Sequence, residues 1–140
     1  MSEIIEDTSL PAPEPVVNPD TASFWGAAAK GRLNIGRCRS CGEAIWYPRP
    51  MCPHCHSTDT LLEEVSGQGR VYSFTIVRRA IGEYAASLPY VLAYVELDEG
   101  PRVMTNLVGR EPETWEIGQP VEVVFHRTPA GNAIPRFRPR

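Results

Sequence analysis

The most specific chemistry in this chain belongs to four cysteines, Cys38, Cys41, Cys52 and Cys55, set as two C-x2-C pairs with ten residues between them. A two-residue gap lets a tight turn aim two thiolates at one cation, while backbone N–H groups of the turn stabilise charge on sulfur. Two such turns supply a tetrahedral set. With all four positions filled by sulfur, no site is left for activating water or a carbonyl, so the expected role is structural. Zn2+ is the leading candidate for the ion. Four thiolates also suit a rubredoxin-like iron, and a disulfide or free redox dithiol is the third arrangement. His54 and His56 flank the second pair and read as exposed turn residues, since four thiols already complete the set. The spacer is shorter than the roughly 15 to 20 residues of the commonest double-pair pattern. Ala44-Ile45-Trp46-Tyr47-Pro48 supplies a strand-like return between the two turns.

Other reactive groups are scarce. With every cysteine in the cluster, no thiol is left to serve as a nucleophile. His126 is the one histidine away from the cysteine segment, and in a predicted strand it reads as a partly buried or edge residue rather than a general base. The sequence holds no G-x-S-x-G, no Gly-rich phosphate loop and no H-E-x-x-H. The expectation is a binding or assembly module with no catalytic residues of its own. Fourteen Lys+Arg face seventeen Asp+Glu, a net charge of −3, and residues 61–140 carry nine Arg against ten acids. No chain-wide positive field is present to attract a polyanion, which makes nucleic acid an unlikely partner. No apolar run approaches the roughly 18 to 20 residues that span a bilayer. The acidic start, Met1 to Asp7, is unlike a secretory signal. A cytoplasmic, reducing setting follows, in which cysteines serve as metal ligands rather than disulfides.

The elements that would position these groups read as mainly β. Residues 1–19 hold Pro11, Pro13, Pro15 and Pro19 among small and acidic residues, the composition of a flexible arm. Residues 20–34 form an N-terminal helical segment, with Asp20 as its cap and Gly31 at its left-handed end. Phe24 and Trp25 place two large rings on that short helix, which must dock on the chain's own body or on another protein. Residues 35–62 are the cysteine ribbon. Residues 63–140 contain predicted strands at 70–79, 90–97, 102–108, 121–128 and 133–138, with a brief helical stretch at 112–115. Five short strands with tight turns predict a small Greek-key barrel of the OB type, with a half-open sandwich as the alternative.

Several runs carry a resemblance. They are Phe24-Trp25, Lys30-Gly31-Arg32-Leu33, Cys38-Arg39-Ser40-Cys41-Gly42, Pro48-Arg49-Pro50 and Cys52-Pro53-His54-Cys55. Further on come Gly67 to Thr75 (GQGRVYSFT), Val95 to Gly100 (VELDEG), Ile117 to Val121 (IGQPV) and Pro135 to Pro139 (PRFRP). Over residues 20–139 the chain resembles bacterial and archaeal proteins that join a rubredoxin-like zinc ribbon to an OB fold and associate with thiolase-type enzymes. The resemblance implies a non-catalytic subunit that binds a thiolase-fold enzyme and helps organise acyl-CoA, with Cys38, Cys41, Cys52 and Cys55 holding a structural Zn2+. His56 departs from the family pattern, which often has Gly there, and puts the local turn geometry in question. Candidate contacts with the partner or acyl-CoA are the aromatic Phe24, Trp25, Trp46 and Tyr47 and the guanidinium groups of Arg78 and Arg79. Arg136, Arg138 and Arg140, at alternate positions of the last strand, are a further such row. The alternative reading is an OB-fold protein that binds single-stranded nucleic acid.

Overall fold

In the computed structural model, which describes residues 2–6 and 9–140, ten elements follow one another. They are β1 (Ile4–Ile5), the helix α1 (Ala22–Ala28), β2 (Asn34–Cys38), β3 (Ala44–Ile45), β4 (Thr60–Glu64), β5 (Gln68–Val77), β6 (Tyr90–Leu97), β7 (Arg102–Leu107), β8 (Pro120–Arg127) and β9 (Ala133–Pro139). Two 3-10 turns, Gly82–Ser87 and Pro112–Thr114, complete the chain. Strands β2, β3 and β4 form the small antiparallel sheet of the cysteine ribbon, in the order β3-β2-β4.

Strands β5 to β9 close into the expected five-stranded barrel. β5, β6 and β7 are an antiparallel meander, β9 pairs parallel with β7 and antiparallel with β8, and β8 returns to β5. One long strand, β5, must serve two neighbours. Its first residues, Gln68 to Arg70, pair with β8, and an irregularity between Val71 and Ser73 lets it bend and continue along β6. Alternation sets what faces inward. On β6, Val91, Ala93, Val95 and Leu97 are buried, and they meet Val103 and Leu107 of β7 and Phe137 of β9.

Helix and ribbon are not independent of this barrel. Phe24, Ala28, Leu33 and Ile35 belong to the same buried cluster as Val71, Val123 and Phe125. Phe24 packs edge-on against Trp25, Trp46 and Tyr47, with ring centres 4.9, 5.6 and 5.3 Å away. Apart from these contacts a helix of seven residues is too short to persist. Its start differs from the expectation. The cap position is Thr21, and the side-chain oxygen of Asn18 accepts the backbone N–H groups of Asp20 and Thr21 at 3.1 Å each. Asp20 therefore lies one residue before the cap position, and no side chain caps the helix.

The arm departs further from its expected flexibility. Met1, Asp7 and Thr8 lie outside the described residues. Among the rest, β1 runs parallel to β8, with Ile4 opposite Phe125 and Ile5 opposite His126. The Phe125 N–H donates to Glu3 at 2.9 Å and the Ser2 N–H to Gly31 at 2.6 Å. Gly31 has φ 77° and a Cβ there would stand 2.4 Å from the Ser2 carbonyl oxygen, so both backbone shape and the close approach require glycine. Farther along, the Glu14 carboxylate accepts from the Thr128 hydroxyl, the Ala130 N–H and the Asn132 amide at 2.6, 2.7 and 3.1 Å. The Thr128 and Asn132 bonds hold its carboxyl below the ordinary carboxylate range. Pro-rich composition predicts freedom only where nothing holds the segment; here a strand edge pairs with its backbone and a hairpin turn with the Glu14 carboxylate.

Since Phe24 is 1% exposed, Phe24→Ala should lower stability by about 3–5 kcal/mol through the cavity it leaves. Urea unfolding of the metal-loaded chain measures this; a change within error of zero would mean that Phe24 does not sit in the core.

Candidate metal centre

The two cysteine turns repeat one backbone plan. In the first, the Cys38 N–H donates to Glu43 and the Gly42 N–H to Cys38, at 3.0 and 2.9 Å. In the second, the Cys52 N–H donates to Ser57 and the His56 N–H to Cys52, at 2.8 and 2.9 Å. Gly42 and His56 occupy equivalent positions and both have left-handed backbone, φ 78° and 64°. The missing glycine thus leaves the turn geometry intact, and His56 carries the conformational cost that Gly42 avoids. His54 and His56 are exposed, as expected.

β2 ends at Cys38 and carries it into the interior. Cys38 and Cys52 are buried with Ile45, whereas Cys41 and Cys55 are exposed. All four Sγ atoms lie within 4.8 Å of one another, with 3.6 Å between Cys38 and Cys55 and 3.7 Å between Cys41 and Cys52. A tetrahedral ion bound at about 2.3 Å to each sulfur needs neighbouring sulfurs about 3.8 Å apart. The set fits such an ion. It does not fit a disulfide, whose sulfurs stand about 2.05 Å apart. The Ser40 and Ser57 hydroxyls, 2.9 Å apart, hydrogen-bond across the two turns.

The electrostatics of the cluster call for a cation. The Cys38 thiol is lowered to about 6, first by the Cys41 backbone N–H, then by the Cys55 thiol and Ser40 N–H acting against desolvation. At Cys41 the Glu43 N–H favours the thiolate, but desolvation and the sulfurs of Cys38, Cys52 and Cys55 outweigh it and push the thiol up to about 12. Cys55 is raised as well: the Ser57 N–H favours its thiolate, and the neighbouring Cys38 with desolvation overrides that help. Without a cation, ionisation of Cys38 is thus favoured while that of Cys41 and Cys55 is opposed. A dication turns this repulsion into attraction.

Other predicted site residues are scattered. Phe24 is interior and cannot touch a partner. Trp25 and Trp46 are half-buried beside it, and the Trp25 indole N–H donates to the Tyr47 hydroxyl at 3.0 Å. Arg78 and Arg79 lie beyond the end of β5, both exposed. Arg78 pairs with Glu113 at 3.2 Å; Arg79 has no ion pair among the described residues and lies near Ile81, which is 94% exposed. The arginine row of β9 is engaged elsewhere. Arg136 is buried, bonded to His126 Nδ1 at 2.8 Å and to the Pro11 carbonyl. Arg138 pairs with Glu3 and Glu122, and Arg140 with Gln68. His126 is fully buried rather than an edge residue. Strand periodicity gave no sign of this, because the arm that covers that side of the barrel lies more than a hundred residues away in sequence.

Two outcomes follow. Filling the site must displace at least the Cys41 and Cys55 protons, and the requirement for thiolates makes affinity fall as pH falls. Metal-free protein titrated with Zn2+ against a chromophoric competitor should bind at least about 100-fold more weakly one pH unit lower, near neutrality, as a minimum of two displaced protons requires. An affinity independent of pH would sink this account. His56→Gly relieves about 1–2 kcal/mol of left-handed strain, offset by about 0.4–1 kcal/mol of added freedom in the unfolded chain. The thermal midpoint should rise slightly, and fall for the β-branched His56→Val.

Comparison with known proteins agrees with this geometry. Residues 25–60 match the model of the ChsH2 rubredoxin-like zinc ribbon domain, and residues 62–126 that of the ChsH2 C-terminal OB-fold domain. A DUF35 domain-containing scaffold protein of Methanothermobacter thermautotrophicus is 38% identical over 96 residues, covering 68% of this chain and 72% of the relative. The benzoylsuccinyl-CoA thiolase subunit BbsA of Geobacter metallireducens is 36% identical over 89 residues, covering 64% and 58%. A probable enoyl-CoA hydratase alpha subunit of Thermomonospora curvata is 43% identical over 127 residues; the match takes in 91% of this chain but 40% of that longer protein. Among solved structures, a chain of the Ltp2-ChsH2(DUF35) aldolase superposes with TM-score 0.80 at 40% identity, covering 90% of this chain and 98% of its own. With its paired cysteine turns ahead of a closed barrel, the chain belongs to the ChsH2 (DUF35) family of zinc ribbon and OB-fold proteins.

Proposed function

We propose that this chain is a non-catalytic, zinc-binding subunit that docks on a thiolase-fold enzyme and helps organise acyl-CoA in the complex. The observation that carries this reading is the gathering of all four cysteines into one cluster. Carbon–carbon cleavage or condensation at a thioester needs an activated thiol and proton-transfer groups. Here the thiols are engaged with one another and His126 is buried against Arg136. The names of relatives point the same way, since one is a scaffold protein, one a thiolase subunit and one part of an aldolase.

Cys38, Cys41, Cys52 and Cys55 would hold Zn2+, which supplies no redox chemistry and fixes the two turns. Helix α1 and the ribbon then present Trp25 and Trp46 beside the interior ring of Phe24. Trp25, Trp46, Arg78 and Arg79 would meet the partner or its acyl-CoA, and Phe24 would only support them. Free thiols of this kind belong in a reducing compartment, the cytoplasm. Among the described residues no helix is long and apolar enough to cross a membrane.

Co-expression with the thiolase-fold enzyme encoded in the same genome tests the reading. The two should elute together from a size-exclusion column, with about one zinc per copy of this chain. Separate elution, together with an enzyme fully active alone, overturns it.

A further inference from the structure

Four of the large apolar side chains left exposed lie together on the outer face of the barrel. Tyr72, Leu92, Tyr94 and Met104 are 46, 37, 45 and 60% exposed. Register makes them neighbours: Tyr94 stands between Ser73 and Met104, and Leu92 between Thr75 and Asn106. Tyr72 sits in the irregularity of β5, with the Arg102 guanidinium 3.9 Å from its ring centre. β6 carries the matching sequence signal. Its inward residues are apolar, and so are the outward Tyr90, Leu92 and Tyr94. Strands apolar on both faces are normally covered on both, yet this chain covers only one.

The shape and charge of the face select its occupant. Between Tyr94, Leu92, Met104, Thr75 and Phe74 it sinks into a groove of about 230 Å3. Sites for small molecules run from roughly 300 to 1,000 Å3, so an acyl-CoA does not fit, whereas one large apolar side chain does. Arg70 and Arg102 border the face, both opposite Glu96 in the strand register, and Arg102 bonds to Glu96 at 3.0 Å. The border is thus net positive and suits a carboxylate. Tyr, Met and Arg around an apolar centre is the composition of protein–protein contact centres.

We propose that this outer face of β5, β6 and β7 is the surface on which the thiolase-fold enzyme seats, placing one large apolar side chain between Tyr94 and Met104 and an acid against Arg70 and Arg102. It rests on the subunit reading above and adds to it the location of the contact.

The test uses the full chain and the same co-expressed enzyme. Met104→Glu and Leu92→Glu should each weaken the complex roughly 30-fold or more, with zinc content and thermal midpoint of the free chain unchanged, while Val16→Glu on the arm leaves binding as it was. Wild-type chain that fails to bind at all defeats the subunit reading and this proposal with it. Wild-type binding that both glutamate variants retain defeats the face assignment alone. Two other results also overturn it. One is a wild-type chain that light scattering shows to be a dimer made monomeric by Met104→Glu, which assigns the face to a second copy. The other is salt-sensitive retention of oligo(dT) abolished by the same variant, which assigns it to a single strand.

Discussion

Four sulfurs held within 4.8 Å of one another cannot all carry charge without a cation among them. Much of the architecture follows from meeting that requirement. Two turns donate backbone N–H groups in the same pattern, two cysteines are taken into the interior on one side, and two face outward. The buried pair packs on Ile45, and the next two residues, Trp46 and Tyr47, lie against Phe24. From Phe24 the apolar contacts run unbroken through Leu33 and Ile35 into the barrel. An ion in the ribbon therefore acts on more than its own loops, because the seven-residue helix and the barrel wall lean on the surface that the ribbon presents.

A second constraint concerns polar groups at the side of the barrel. Arg136 and His126 are both buried, a costly situation unless each is hydrogen-bonded. The arm makes it tolerable by bringing the Pro11 carbonyl to the guanidinium. It also gives Arg138 the Glu3 carboxylate and closes the Thr128–Asn132 turn around Glu14. Of the row of arginines on β9, which looks from sequence like a grip for phosphate, Arg136 and Arg138 are thereby turned to holding the arm, while Arg140 bonds to Gln68. The outward side of β6, by contrast, leaves Leu92 and Tyr94 exposed.

How far the sequence revealed all this depended on the range of each interaction. The cysteine cluster was readable because its spacing is local and its chemistry admits few alternatives. β6 matches its predicted bounds, 90–97, and the other barrel strands lie within one or two residues of theirs, since alternation and turn glycines are also local. Phe24 was ambiguous because a ring on a short helix docks somewhere, and sequence does not say where. The seating of the arm and the burial of Arg136 were invisible because they join residues at opposite ends of the chain. Outward Tyr94 and Met104 are hidden for a different reason: apolar residues on both parities of a strand read as strand propensity and do not say what covers the second face.

The pairing of Ile4 with Phe125 spans nearly the whole chain. Loop closure over such a separation is entropically slow, and during synthesis β8 emerges long after β1. The arm residues that pair with β8 thus cannot find their place until that much later strand is present. Until they do, the buried arginine has yet to gain its carbonyl and the edge of β8 stands open, so the nascent protein has its ribbon and meander within reach well before its outer seam is sewn.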